Sequence, residues 1–184
     1  MRVYFSGSHS SGKTTCARYV SETHNLPLIS ETARMVLSEK ELQVDALRYN
    51  MDLVDEYQSE VFHRQLLEEA KYSSFVSDRS AIDTLAYAGQ HSRILPKLLR
   101  EPQLDPYLAS LRASDAIIFF VRPTKATLSQ DGVRESITFE GVVAIDAQIK
   151  LLYEMYGIRY FQVSADSMQE RVKLIESVLS LCSG

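Results

Sequence analysis

The chain reads as an α/β protein built on a parallel sheet. Five short apolar segments alternate with stretches of helical periodicity, the succession expected of βαβ units. The clearest of them, DAIIFFV at 115–121, is apolar almost throughout, as a strand covered on both faces must be. A glycine-bounded loop links the first of these strands to the first helix.

The first strand is RVYFS at 2–6, ending in Ser and Gly, and a helix follows over 13–24, closing before Asn25 and Pro27. PLIS at 27–30 makes the second strand, with Glu31 directly after it, and 32–40 is helical. A long helical stretch over 43–71 carries Leu47, Met51, Val54, Tyr57 and Val61 at helical spacing. SFVS at 74–77 is the third strand and runs into Asp78-Arg79-Ser80. Helices follow over 80–89 and 104–113, and Pro96, Pro102 and Pro106 mark an irregular connection between them. After the fourth strand, 115–121, comes a polar segment at 122–137. A helix over 139–156 then closes on Gly157 as C-cap. IRYFQV at 158–163 is the last strand and 166–181 the last helix. No repeat, low-complexity tract or linker interrupts the series, so 1–184 reads as a single domain.

Composition narrows the function. The 184 residues suffice to bury a core without staples. The 24 acidic residues outnumber the 20 basic ones, giving a net charge near −4. That balance argues against tight, sequence-blind nucleic-acid binding, which needs many phosphate-neutralising cations. Two cysteines, Cys16 and Cys182, allow neither a disulfide framework nor a zinc spacing and point to a reducing, cytoplasmic setting. No signal-peptide pattern opens the chain, and no apolar run approaches the ~18 residues of a membrane span.

The first loop carries the strongest chemical signal. Gly7-Ser8-His9-Ser10-Ser11-Gly12-Lys13-Thr14 fits G-x-x-x-x-G-K-[ST], and Thr15 continues it into the helix. A phosphate cluster needs several backbone N–H groups aimed into one concavity. Glycine at both ends lets the chain turn tightly and approach the phosphates. The following helix adds orphan N–H groups and a positive dipole end. Lys13 supplies a mobile cation for the β/γ-phosphates, and the Thr14 hydroxyl can ligate Mg²⁺. His9 either touches a phosphate or faces solvent.

A triphosphate site admits a kinase, a switch GTPase or a mechanical ATPase. The guanine-reading N/T-K-x-D is missing: the nearest string, Thr124-Lys125-Ala126-Thr127, lacks the Asp. A motor usually needs a longer chain with an extra helical domain. A kinase needs a carboxylate at the acceptor, an acceptor pocket and arginines on the transferred group. Asp78, after the third strand, can reach the metal through water or cap the next helix, with Arg79 pointing towards the acceptor. Glu31, at the carboxyl end of the second strand, can accept an acceptor proton or form an i,i+3 pair with Arg34. Asp131-Gly132-Val133-Arg134-Glu135 is a lid or a surface turn, with Arg134 the first candidate lid cation and Arg122 the second. Ser164-Ala165-Asp166, after the last strand, is where an adenine edge would rest. Tyr49, Tyr57 and Phe62 on the long helix are core residues or stack on an acceptor base.

VYFSGSHSSGKTT, ISETARMVL, SDRSAIDTLAYAG and DGVRE together resemble the AAA-type P-loop kinase family, over residues 2 to about 175. That family includes the nicotinamide riboside kinase domain of NAD-salvage proteins and phage-encoded nucleotide kinases. The resemblance implies a three-layer core with a five-stranded parallel sheet of order 2-3-1-4-5, helices on both faces and a short lid. It also implies Mg·ATP as donor and a small nucleoside- or nucleotide-like acceptor. Gly12, Lys13 and Thr14 carry over to the donor site, Asp78 to the metal region and Arg134 to the lid. Independently of the resemblance, Arg34 can hold an acceptor phosphate, and Arg79 and Asp83 are expected beside Glu31 at the acceptor. The chain departs from the nicotinamide riboside kinases in lacking any Trp near the lid, and in its Arg122-Pro123-Thr124 segment. Its D-R-S string is closer to thymidylate and deoxynucleoside kinases. A phage group that phosphorylates 5-hydroxymethyluracil within DNA is similar too, and would require Arg93, Lys97, Arg100 and Arg112 to form a basic groove rather than a solvated face. The remaining alternative is an ATP-binding regulatory switch. A phage origin would place the protein in the host cytoplasm.

Overall fold

A computed structural model describes residues 1–39, 50–124 and 139–182. The strands are β1 (Arg2–Ser6), β2 (Leu28–Ile29), β3 (Phe75–Asp78), β4 (Ala116–Val121) and β5 (Phe161–Val163). The helices of the described residues are α1 (Lys13–His24), α2 (Thr32–Glu39), α3 (Met51–Glu69), α4 (Ala81–His91), α5 (Leu95–Leu98), α6 (Leu104–Arg112), α7 (Phe139–Met155) and α8 (Met168–Cys182). The strands form one parallel sheet of order β2-β3-β1-β4-β5. β1 lies at its centre, with Val3 opposite Val76 on one side and Ile117 on the other.

Alternation along the strands sorts the core into two layers. Val3, Phe5, Ile117, Phe119 and Val121 face one way, against Cys16, Ala17 and Val20 of α1 and Ile175, Val178 and Leu179 of α8. Tyr4, Ile118 and Phe120 face the other way, against Ile82 and Leu85 of α4, Leu108 and Leu111 of α6, and Ile149 and Tyr153 of α7. Both faces are covered, which is why β4 is apolar throughout. A smaller cluster of Val36, Tyr57 and Val61 packs α2 on α3. No described helix is long and apolar enough to cross a membrane. Cys16 and Cys182 are free, the first buried and the second exposed.

Three expectations change. The long helix begins at Met51, because Asn50 stands extended and its side chain accepts from the N–H groups of Asp52 and Leu53. Residues 40–49, including Leu47 and Tyr49, lie outside the described residues. The connection around Pro96 is a short helix with the proline in its first turn, where a missing N–H costs nothing. Pro106 likewise sits in the first turn of α6. The last strand is shorter than 158–163: Ile158 N donates to Tyr153 O and closes the end of α7 through left-handed Gly157 (φ 63°), so pairing starts only at Phe161. The segment 125–138, with Asp131 and Arg134, lies outside the described residues.

Candidate active site

The loop between β1 and α1 is held open by its glycines. Gly7 has φ 143°, and a Cβ there would stand 2.3 Å from the carbonyl oxygen of Val121. Gly12 has φ 90°, and a Cβ there would stand 2.8 Å from Nη1 of Arg171. Ser10 between them is also left-handed, at φ 55°. Ser8, Ser11 and Lys13 are buried, Ser10 is half-buried and Thr15 is exposed on α1. Lys13 folds back so that Nζ donates to Ser8 O and Ser11 Oγ. Burial, reinforced by the Arg79 cation, pushes the Lys13 ammonium down to about 8 against the pull of Asp78, Asp83 and Glu31. Tyr87 Oη accepts from the backbone N–H of His9 and shares a second hydrogen bond with His9 Nδ1, each at 2.9 Å, which fixes His9 against α4.

Thr14 and Asp78 meet where β3 lies beside the loop. Thr14 Oγ1 donates to Asp78 Oδ2 at 2.6 Å, while Asp78 Oδ1 is buried without a partner. An orphaned carboxylate oxygen beside a hydroxyl fits a hydrated cation. Among the described residues no group of three or more His, Cys, Asp or Glu could hold a metal by itself.

β2 brings the second carboxylate. Glu31 Oε1 accepts from Arg79 Nε at 2.9 Å, and Glu31 Oε2 lies 2.7 Å from Arg34 Nε. Burial pushes the Glu31 carboxyl up, but Arg79, Arg34 and Lys13 outweigh it and hold the group below the usual carboxylate range. Arg79 itself stands at φ 95°, a left-handed conformation rare outside glycine, and its guanidinium lies 5.1 Å over the Tyr87 ring. Its Nη1 reaches Gly7 O at 3.3 Å. A hollow of about 120 Å³ joins the two pairs, lined by Thr14, Arg18, Glu31, Arg34 and Asp78 among others.

The structure thus brings Lys13, Thr14, Glu31, Arg34, Asp78 and Arg79 together. Asp83, expected on the acceptor side, lies with Oδ1 4.0 Å from Arg79 Nη1. It is fully buried: Oδ1 accepts from Gly7 N, and Oδ2 accepts from Ser80 N and Oγ. It closes a capping box on α4 and pins the start of the phosphate loop. Arg122 is drawn into an ion pair, 2.6 Å from buried Asp146 of α7. Tyr57 and Phe62 are core residues, and Arg93 is spent on Asp52 and Asp55 of α3.

One residue was missed. Arg171 of α8 is fully buried and bridges two loops: Nε donates to Ala165 O and Nη1 to Ser11 O, while Nη2 is buried without a partner. It ties the Ser164–Asp166 loop to the phosphate loop. Its signal in the sequence was its place at the head of the apolar stripe Ile175, Val178 and Leu179, where a cation is out of character.

A model of the AAA domain family matches residues 2–171. No curated protein matches the chain significantly. Solved structures match over nearly its full length. A deoxyadenosine kinase from M. mycoides, with products dCMP and a flexible dCDP bound, is similar at TM-score 0.71 and 16% identity, covering 98% of this chain and 99% of that one. The NadR protein in complex with NR is similar at TM-score 0.68 and 21% identity, covering 91% of this chain and 46% of that one. Shikimate kinase from Acinetobacter baumannii, in complex with shikimate, is similar at TM-score 0.57 and 11% identity, covering 97% and 93%. The sheet order and helix placement are those of the P-loop kinase fold.

Proposed function

This chain belongs to the AAA domain family, and on that footing we propose that it is a Mg·ATP-dependent phosphotransferase acting on a nucleoside, a nucleotide or a closely related small acceptor. The observation that carries the reading is the convergence of the Glu31–Arg79 pair on the Thr14–Asp78 pair at the mouth of the phosphate loop. The loop amides and Lys13 would cradle the β/γ-phosphates. Mg²⁺, held by the nucleotide with Thr14 and, through water, Asp78, would neutralise phosphate charge. An acceptor hydroxyl beside Glu31 attacks the γ-phosphorus in line. The bond from phosphorus to the β–γ bridging oxygen breaks, ADP leaves, and the acceptor proton passes to Glu31 as the new bond forms. Two arginines on Glu31 make it a weak base, suited to orienting the hydroxyl and taking its proton late. Arg34 and Arg79 would then hold the acceptor and the charge in flight. Arg134, in a lid over 122–137, belongs to the same reading, as do adenine contacts at Ala165, a single domain over 1–184 and a cytoplasmic setting.

Labelled ATP with a panel of nucleosides, nucleoside monophosphates and hydroxymethylated DNA tests it. Transfer to a small acceptor supports the reading. ATP binding without transfer to any acceptor overturns it in favour of a regulatory switch. Transfer to DNA alone moves the acceptor class.

A further inference from the structure

Glu69, in the last turn of α3, is a buried carboxylate that the proposed chemistry does not use. Three donors converge on it. Tyr4 Oη donates to Oε2 at 2.8 Å, and Oε1 accepts from Gln65 Nε2 at 2.8 Å and from Tyr107 Oη at 3.1 Å. No cation neutralises it at contact distance among the described residues: Arg2, the nearest on β1, is engaged by Asp115 and Ser110 O. The other titratable groups facing it are Tyr4 of β1, Tyr107 of α6 and, farther off, Tyr153 of α7.

Both donors on Oε1 also hold the turn that carries Arg79. Gln65 Nε2 lies 3.0 Å from Ser77 Oγ and 3.4 Å from Arg79 O, and Gln65 Oε1 accepts from Thr32 Oγ1 beside Glu31 at 2.8 Å. Tyr107 Oη accepts from Ala81 N at 3.0 Å. One carboxylate therefore orients the two groups that grip the segment on either side of Arg79. That segment needs a grip, because Arg79 holds a left-handed backbone at φ 95° that an ordinary side chain resists.

We propose that Glu69 is a positioning residue, whose carboxylate acts through Gln65 and Tyr107 to hold Ser77–Ala81, and with it Arg79, in the conformation that meets Glu31. The functional half of this inference rests on the kinase reading above; the conformational half does not. An ionised Glu69 makes the bonds from Gln65 and Tyr107 charge-assisted, and such bonds are about twice as strong as neutral ones. Protonation turns Oε1 into an ordinary carbonyl and loosens both grips together. A hollow of about 480 Å³, lined by Arg2, Tyr4, Leu66, Phe75 and Tyr107 among others, opens onto Glu69 and lets solvent protons reach it. Burial pushes the carboxyl up to about 7 despite its three donors, so the loosening falls near neutral pH. Activity that depends on the grip is expected above that pH and lost below it.

The test uses the full chain, ¹⁵N-labelled, with the Arg79 and Ala81 amide resonances followed from about pH 5 to about pH 9. In the wild type both are expected to shift with a common midpoint near 7; in E69Q that midpoint disappears from both, and any shift that remains follows Lys13 near 8. Amides that do not titrate, or that titrate equally in E69Q, overturn the proposal. If E69Q does not fold, Y107F takes its place, and an Ala81 shift undiminished in Y107F has the same consequence. On activity, E69Q is expected to lower kcat about tenfold, equivalent to ~1.4 kcal/mol, leave the KM for ATP within about twofold and erase the acidic limb near pH 7. An unchanged kcat and pH profile overturns the functional half. A chain that transfers no phosphoryl group in any form defeats the kinase reading instead, and the amide titration still decides the grip.

Discussion

Arg79 Nε donates to Glu31 Oε1 across 2.9 Å, joining residues 48 positions apart at the ends of neighbouring strands. Arg79 is a fork from a strained backbone and Glu31 is gripped a second time by Arg34. Substituting Arg79→Lys keeps the charge but loses the planar donor set. A fall in kcat of about 10²-fold is expected, with ATP affinity changed less than about threefold, if Arg79 acts on charge in flight as proposed. Glu31→Gln should lower kcat by a similar factor. Steady-state kinetics beside calorimetric ATP binding checks both; a variant that lost only ATP affinity would move Glu31 and Arg79 to the donor side.

Lys13 carries a pH dependence with a definite sign. Its ammonium titrates near 8 in the free protein, pushed down by burial and by Arg79. Below that pH it is a cation ready for phosphate; above it the amine is neutral, and binding must take up a proton. ATP affinity should weaken as pH rises through about 8, and Lys13→Met should bind poorly and lose that slope. Isothermal titration calorimetry in buffers of different ionisation enthalpy measures the proton taken up.

The two loop glycines should differ in their tolerance of alanine. Both are strained by about 1–3 kcal/mol when a side chain is held at positive φ. Gly7→Ala also drives Cβ into the Val121 carbonyl, which β4 cannot withdraw, whereas at Gly12 the obstacle is the end of the Arg171 side chain. Urea denaturation is expected to rank wild type above Gly12→Ala, and Gly12→Ala above Gly7→Ala. Gly12→Ala should in addition weaken ATP binding, because displacing Arg171 unties Ser11 from Ala165. Equal stability of the two variants would contradict this packing.

Asp78 should matter through the metal. Its Oδ1 is buried and without a partner, and its Oδ2 is held by Thr14. Asp78→Asn is expected to raise the Mg²⁺ concentration needed for half-maximal activity by about tenfold, roughly 1.4 kcal/mol, with little change in nucleotide binding measured without metal. A magnesium titration of rate decides it.

What was legible in the sequence was local. The loop from Gly7 to Thr14, its flanking strand and helix, and the Glu31–Arg34 pair all lie within one turn or one motif, where spacing alone brings groups together. The alternation that divides β1 and β4 between two layers is equally local. The capping role of Asp83 and the missed Arg171 left local traces too. Ser80-Ala81-Ile82-Asp83 has the spacing of a capping box, and Arg171 heads an apolar stripe. The tertiary structure alone decided which of the polar residues meet. Thr14 reaches Asp78 because β1 and β3 are neighbours in the sheet, and Glu31 reaches Arg79 because β2 pairs with β3. Arg171 reaches Ser11 across 160 residues because α8 packs on the face that carries α1. Propensity and periodicity act over a few residues, whereas the order of strands in a sheet is set by how whole crossovers bury their apolar faces. A sequence therefore names the groups of a site well before it says which of them touch.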